Sequence, residues 1–257
     1  FSPEDNVQDI LVQLGGEALP HTVDPSIAGA SVEKGMELLT TGITTKANGG
    51  RTKKQSSHFL CTSCHNMLKE DPDLAVSDPQ ARLDYAVSNG LPFLQGTTFY
   101  GIINRTSFYN GDYVKKYGDL VEDARHDLRN AIQLCATTCA QGRLLDDWEV
   151  ESILAYFEQT GLKMKDLILS EAEANQINQA ISSGENQDKA RNLIQSKYLQ
   201  ASPAHFIAPP EKRSKGPEGI SQVDLEHGAA IYQHSCLHCH ENQRFSLFEL
   251  GPDKLSH

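Results

Sequence analysis

The chain has 257 residues, with 23 basic and 34 acidic side chains, and so a formal charge of −11. At ~100–200 residues per domain, that length holds one or two domains. So acidic a surface disfavours duplex DNA or an anionic membrane face as the main partner. No run approaches the ~18–20 apolar residues of a membrane span, so neither a nucleic-acid partner nor an integral span is expected. The opening, FSPEDNVQDI, has neither a basic stretch nor an apolar core, so any secretion signal is expected to be already removed or never present.

Residues 1–30 read as an N-terminal extension. Then comes Val32-Glu33-Lys34-Gly35-Met36-Glu37-Leu38-Leu39, which has a counterpart in Leu225-Glu226-His227-Gly228-Ala229-Ala230-Ile231-Tyr232. Both follow the pattern apolar-Glu-x-Gly-x-x-apolar-apolar, and each precedes a C-x-x-C-H: Cys61-Thr-Ser-Cys64-His65 and Cys236-Leu-His-Cys239-His240. Gly228 stands close before Cys236, whereas Gly35 and Cys61 lie much further apart. The first copy therefore carries an insertion, from about Thr41 to His58, whose Gly, Thr and Lys content predicts a surface loop.

C-x-x-C-H is the attachment signature of c-type haem. Two thiols on one turn bond the two vinyl groups, and the histidine points its imidazole at the iron. Two cysteine pairs can also build a four-thiolate zinc site. Here 171 residues separate the pairs, and each carries its own histidine. The expectation is two covalently bound haem c groups, held by Cys61 and Cys64 and by Cys236 and Cys239. His65 and His240 are then the iron ligands.

Further along, Asp146 and Glu149 have capping-box spacing, and Val150, Ile153, Leu154 and Phe157 share one helical face. A helix over 146–159 follows, with Gly161 as its stop. Residues 166–199 read as helical, and Ser202 to Gly219, with Pro203, Pro209, Pro210 and Pro217, reads as a connector.

A Gly-bearing helix, C-x-x-C-H and an amphipathic closing helix that includes Trp148 and Tyr156 together resemble class I cytochromes c. The resemblance implies an all-α chain of two tandem class I cytochrome c-like domains. Residues 31–165 would carry haem 1, 166–220 form a helical segment and linker, and 221–257 start the second domain. The sequence runs only from His240 to His257 after the second motif, so that second domain is expected to be cut short or completed by a partner.

In the first domain the iron's sixth ligand has Met, His, Cys or none to choose from. The stretch ahead of the closing helix, Leu134-Cys135-Ala-Thr-Thr-Cys139-Ala-Gln-Gly-Arg143, holds two cysteines and no methionine. Met67 lies too near His65, Met164 lies past the closing helix, and Met36 reads as core. A Cys135 thiolate is the favoured ligand; a Cys135–Cys139 disulfide or two plain buried thiols is the alternative. For the second iron, the sixth ligand is expected to be His257, His227 or another nearby histidine, to come from outside this sequence, or to be absent, while His21, His58 and His126 read as surface residues.

Arg129-Asn-Ala-Ile132-Gln-Leu-Cys135, then Gly142-Arg143 and the closing helix, resemble the dihaem thiosulfate dehydrogenases and, more distantly, the SoxA cytochromes of sulfur oxidation. The resemblance implies that Cys135 binds the active-site iron. Cys139 falls where the family has Ser, and so is a departure. The segments around Phe99-Tyr100 and Phe108-Tyr109-Asn-Gly-Asp-Tyr113 extend the family's usual span and read either as loops over the haem or as core.

Between Gly101 and Arg143 six positive residues meet five negative ones, a local balance of +1 in a chain of −11. Arg125 and Arg129, near Cys135, are the candidate anion-binding residues; the alternative is that these charges pair with one another on a solvated face. Two functions follow. One is a periplasmic or otherwise extracytoplasmic bacterial oxidoreductase that converts thiosulfate to tetrathionate at Cys135. It would pass electrons through the second haem to an external acceptor such as another cytochrome. The other is a non-catalytic electron carrier in which Cys135 only tunes potential.

Overall fold

The computed structural model describes residues 1–203 and 222–236. Cys239, His240, His257 and most of the proline-rich connector lie outside the described residues. Within them the chain is helical: α1 (Val7–Gln13), α2 (Val32–Thr41), α3 (Pro79–Ser88), α4 (Gly111–Tyr117), α5 (Asp119–Glu122), α6 (Leu128–Leu134), α7 (Asp147–Gln159), α8 (Glu171–Ser183), α9 (Gln187–Gln195) and α10 (Gln222–Ile231). Among them only isolated β-bridges occur, and no helix is long and apolar enough to cross a membrane.

The helix termini carry their own signals. Ser31 caps α2 by accepting from Lys34 N, and Gly42 ends it at φ +70°. Asp78 caps α3, whose first residue is Pro79, and Asp127 caps α6. Glu149 reaches back to accept from Asp146 N at 2.9 Å, one half of the expected capping box on α7.

Two apolar cores organise these helices. The first gathers Leu38 and Leu39 of α2, Phe99, Ile102, Ile103, Leu128 of α6, and Val150, Ile153, Leu154 and Phe157 of α7. Helices α2 and α7 cross at Gly35, where an added Cβ would sit 2.0 Å from Ser152 O. The repeated pattern apolar-Glu-x-Gly thus has a physical meaning here: one backbone lies directly on another.

The second core joins Val7, Ile10, Leu11 and Leu14 of α1 to Leu162, Met164, Ile177, Ala190 and Ile194. Residues 1–30 are therefore more than an extension. The first half builds this core, and Val23 and Asp24 donate backbone hydrogen bonds to Glu158 and Glu151 of α7. The span 166–199 is two helices, broken where Gly184 (φ +73°) and Asn186 (φ +55°) turn left-handed.

Two single-residue expectations are corrected. Met36 is 46% exposed, because the buried face of α2 is carried by Gly35, Leu38 and Leu39. His21 is 3% exposed, because its Nε2 meets Ile103 O at 2.6 Å and Phe108 packs edge-on against the ring.

Candidate functional site: a cavity between two cysteine pairs

A cavity of about 450 Å³ opens inside the first core, within the ~300–1,000 Å³ range of cofactor and ligand pockets. Cys61, Cys64 and His65 line it, and so do Cys135 and Cys139. The walls are mainly apolar, with Leu38, Leu39, Ile102, Ile153 and Phe157 among them. Phe99, Phe108, Tyr109 and Tyr113 also face it; Phe99, Phe108 and Tyr109 serve both as core and as cavity wall, and Tyr113 as wall.

The Cys61–Ser63 turn is a single tight helical turn, fastened by Leu60 N donating to Ser63 Oγ at 3.0 Å and His65 N donating to Cys61 O at 3.1 Å. Neither cysteine is in a disulfide. Burial pushes Cys61 up to about 11, which keeps it protonated at neutral pH.

The His65 ring is held on two sides. Nδ1 lies 2.6 Å from Thr97 O, which can only accept, so Nδ1 carries the proton and Nε2 keeps its lone pair. Phe99 stacks on the ring at 4.5 Å and 19°, and Phe157 of α7 follows at 5.0 Å. Burial lowers the ring's pKa, so it stays neutral, the form that binds metal. On the far edge Gly96 leaves no room: a Cβ there would meet His65 Cε1 at 2.4 Å.

Facing this, α6 runs into a wider turn over Cys135–Cys139, in which Ala140 N donates to Cys135 O at 2.8 Å, an i→i+5 bond. Such π turns are rare and concentrate at functional sites. This one sets both cysteines on the cavity wall. The neighbouring Cys139, then burial, raises Cys135, and the neighbouring Cys135 lowers Cys139 to about 7. Unaided, the pair therefore places its first negative charge on Cys139; a cation bound at Cys135 would move it there.

The insertion after α2 turns out to support this turn and is not merely a surface loop. Gln55 Nε2 donates to Ala136 O at 2.8 Å and Ser56 Oγ to Ala140 O at 2.6 Å, and both residues are buried. Gln141 takes φ +51°, unusual for a residue with a side chain. Gly142 then passes so close to Gln55 that a Cβ would lie 2.3 Å from Gln55 O. Sequence reading missed Gln55 and Ser56; two polar residues in a Gly- and Lys-rich stretch gave no sign of burial.

The arginines fall differently from expectation. Arg129 grips Glu151 of α7 through Nε at 2.6 Å and Nη2 at 2.9 Å, and Thr22 O at 2.7 Å. It does not line the cavity, and its partner is not one of the neighbouring acids 122–127. Arg143 holds Glu149 at 2.5 and 2.6 Å and Lys53 O at 3.1 and 3.2 Å. Arg125 does not line the cavity, and its buried Nε has no hydrogen-bond partner among the described residues.

Among the described residues, Arg105 is the one arginine or lysine lining the cavity. Its Nη1 donates to Thr97 Oγ1 at 2.7 Å, on the residue whose carbonyl holds His65. A single arginine amid Ile103, Asn104 and Thr106 carried no distinguishing mark in the sequence.

Arg105 also lines a second cavity of about 410 Å³, shared with Glu70, Asp71, Arg82, Tyr100 and Tyr198. Glu70 is buried, accepting from Asn66 Nδ2 at 2.8 Å and Thr98 N at 2.7 Å, with Arg82 at 3.2 Å. Burial, and then Glu70, push half-buried Asp71 up to about 6. The folded chain thus binds this proton more tightly than the unfolded one. The stability it lends is full below pH ~4 and is lost as pH rises through about 6. Discounted for solvent contact, Asp71→Asn is expected to stabilise by ~1 kcal/mol at pH 7.5 and by nothing near pH 4. Urea unfolding at both pH values checks it; equal effects would refute the shift.

The lead into the second C-x-x-C-H docks beside the first site. Phe93 N donates to His234 O at 2.7 Å, and His234 Nδ1 meets Leu91 O at 2.9 Å. His227 on α10 faces Gln80 of α3, with Nε2 at 3.3 Å from the amide. Cys236 is exposed and free.

No family model matches the chain, and neither does any curated protein or solved structure. Among the described residues no group of three or more His, Cys, Asp or Glu side chains could hold a metal ion by itself. The donors that face the cavity, one neutral histidine and one cysteine pair, suit an iron whose other four bonds come from a porphyrin. The cavity's size, its apolar walls and the unbridged cysteines Cys61 and Cys64 on its wall also fit that group.

Proposed function

We propose that this chain is a dihaem c-type cytochrome, built from class I cytochrome c-like units, that oxidises a sulfur oxyanion of the thiosulfate type in an extracytoplasmic compartment. One observation carries the reading: Cys61, Cys64 and His65 share a haem-sized cavity with Cys135 and Cys139. Cys61 and Cys64 would hold the haem covalently, with His65 and Cys135 on its iron, and the group would supply a one-electron acceptor and donor.

The chain's own residues do the rest. Thr97 O fixes the proton of His65 on Nδ1 and so directs its lone pair. Arg105 offers the cavity's positive charge to a dianion, in a wall whose low polarity strengthens the attraction. Cys135 is the thiolate to which a sulfane sulfur would join with the loss of two electrons, taken up one at a time by the external acceptor through the haem groups; a second thiosulfate would then attack the bound sulfane sulfur, release tetrathionate and return Cys135 as thiolate. Cys236, Cys239 and His240 would carry a second haem through which electrons leave to an external acceptor.

Near-infrared magnetic circular dichroism of the oxidised protein tests the centre of this reading. A thiolate-to-iron charge-transfer band is expected in the native protein and is expected to vanish in Cys135→Ala, with thiosulfate turnover falling at least ~100-fold as for loss of an activated nucleophile. A spectrum without that band in either protein removes the thiosulfate reading. The second reading, an electron carrier, draws support from Arg129 and Arg143: both are committed to carboxylates of α7, which leaves Arg105 to attract an anion.

A further inference from the structure

We propose that Cys139 is a resolving thiol: it displaces the sulfur species bound to Cys135 and closes a Cys135–Cys139 disulfide within the cavity. The inference rests on the sulfur-oxyanion reading above and adds a second reacting residue to it.

Three observations point to this role. The two cysteines stand at the two ends of one turn and line the same cavity. They differ in access, since Cys139 is exposed while Cys135 is partly covered. And the turn that carries them is a π turn, held from outside by Gln55 on Ala136 O and Ser56 on Ala140 O. In a regular α-helix, residues four apart aim their Cβ atoms poorly for a bridge; the wider turn departs from that geometry and leaves both cysteines lining the same cavity. Bridging asks for the ~2.0 Å sulfur–sulfur bond and a Cβ–S–S–Cβ angle near ~90°, and Cys139, being exposed, is the partner with room to rotate.

The chemistry balances with tetrathionate as oxidant. The Cys135 thiolate attacks a sulfane sulfur of tetrathionate; the central S–S bond breaks and one thiosulfate leaves. Cys139 gives its proton to solvent and attacks Cys135 Sγ. The bond from Cys135 to the bound thiosulfate breaks, and a second thiosulfate leaves. The two thiols lose two electrons and two protons in all, and tetrathionate gains two electrons to become two thiosulfates. Run backwards, two thiosulfates reduce the disulfide and leave as tetrathionate. Thiol–disulfide exchange of this kind needs a thiolate beside a strained or activated sulfur and nothing more.

The test uses the ferric holoprotein with both thiols reduced. It is mixed with tetrathionate and quenched with an alkylating agent, and intact mass and released thiosulfate are read together. Ferric iron has no electron to give the bound species, so only Cys139 can release the second thiosulfate. The expected result is two thiosulfates per protein and a product with neither alkyl group nor adduct. Cys139→Ser, which restores a hydroxyl, is expected to stop after one thiosulfate and to retain a thiosulfate-sized mass on Cys135. If the native protein also stops at that adduct, with Cys139 still alkylated, the resolving role is overturned while the sulfur-oxyanion reading stands. Absence of any adduct or release in both proteins overturns both.

Discussion

Arg143→Ala is expected to destabilise the protein by ~3–5 kcal/mol, the cost of leaving a buried charge without its partner. Glu149 is fully buried, and the guanidinium meets both of its oxygens at 2.5 and 2.6 Å in a fork-to-fork pair. The same arginine holds Lys53 O, so the insertion, the turn after Cys139 and the start of α7 meet at this one side chain. Glu149 has a second duty, accepting from Asp146 N at the head of α7. Denaturant unfolding of Arg143→Ala, Glu149→Gln and the double variant forms a cycle. The double variant should lose far less than the sum of the two, because neither partner is then left charged and alone. Additive losses would show that the pair does not act as a unit.

Gly35→Ala is expected to cost ~3 kcal/mol, at the upper end for overpacking a core. The added methyl would lie 2.0 Å from Ser152 O and 2.7 Å from Ser152 C, against backbone and not a movable side-chain tip. Helices α2 and α7 must separate or slide. Ser31 N, which donates to Ser152 Oγ at 3.2 Å, moves with them. The cavity shares Leu38, Leu39, Ile153 and Phe157 with this crossing, so weaker cofactor retention is expected beside the lower unfolding midpoint. Thermal unfolding and haem content measure the two effects; an unchanged midpoint would mean the crossing tolerates a Cβ.

Much of the first core was legible because periodic burial leaves a period in the sequence. Val150, Ile153, Leu154 and Phe157 were placed on one face by spacing, and all four are buried. Gly35 and the C-x-x-C-H were visible as a repeat. What escaped is what depends on contacts between distant segments. Arg129 and Arg143 look like free cations until Glu151 and Glu149 are folded beside them, because a carboxylate on an amphipathic helix reads as solvent-facing. The π turn escaped for a related reason. Its residues, Cys135 to Cys139, have no composition that distinguishes them from an α-helical turn, and Gln55 and Ser56 fix it from far away in the chain. The second core escaped because α1 is short and becomes a core element when α8 and α9 meet it.

The strap from Leu91 to Thr97 gives the molecule a short internal ruler. Its far end carries the carbonyl that orients His65. Its near end binds both the backbone and the ring of His234, just ahead of Cys236, and Arg82 pins its middle at Leu94 O and Gly96 O. Along the chain 171 residues separate the two cysteine pairs. Through the strap, one short stretch of backbone and its hydrogen bonds join His65 to the residues just ahead of Cys236. That link bypasses the connector, so changes in the connector's length or sequence leave its hydrogen bonds in place, and substitutions that alter it belong in the strap and at Arg82.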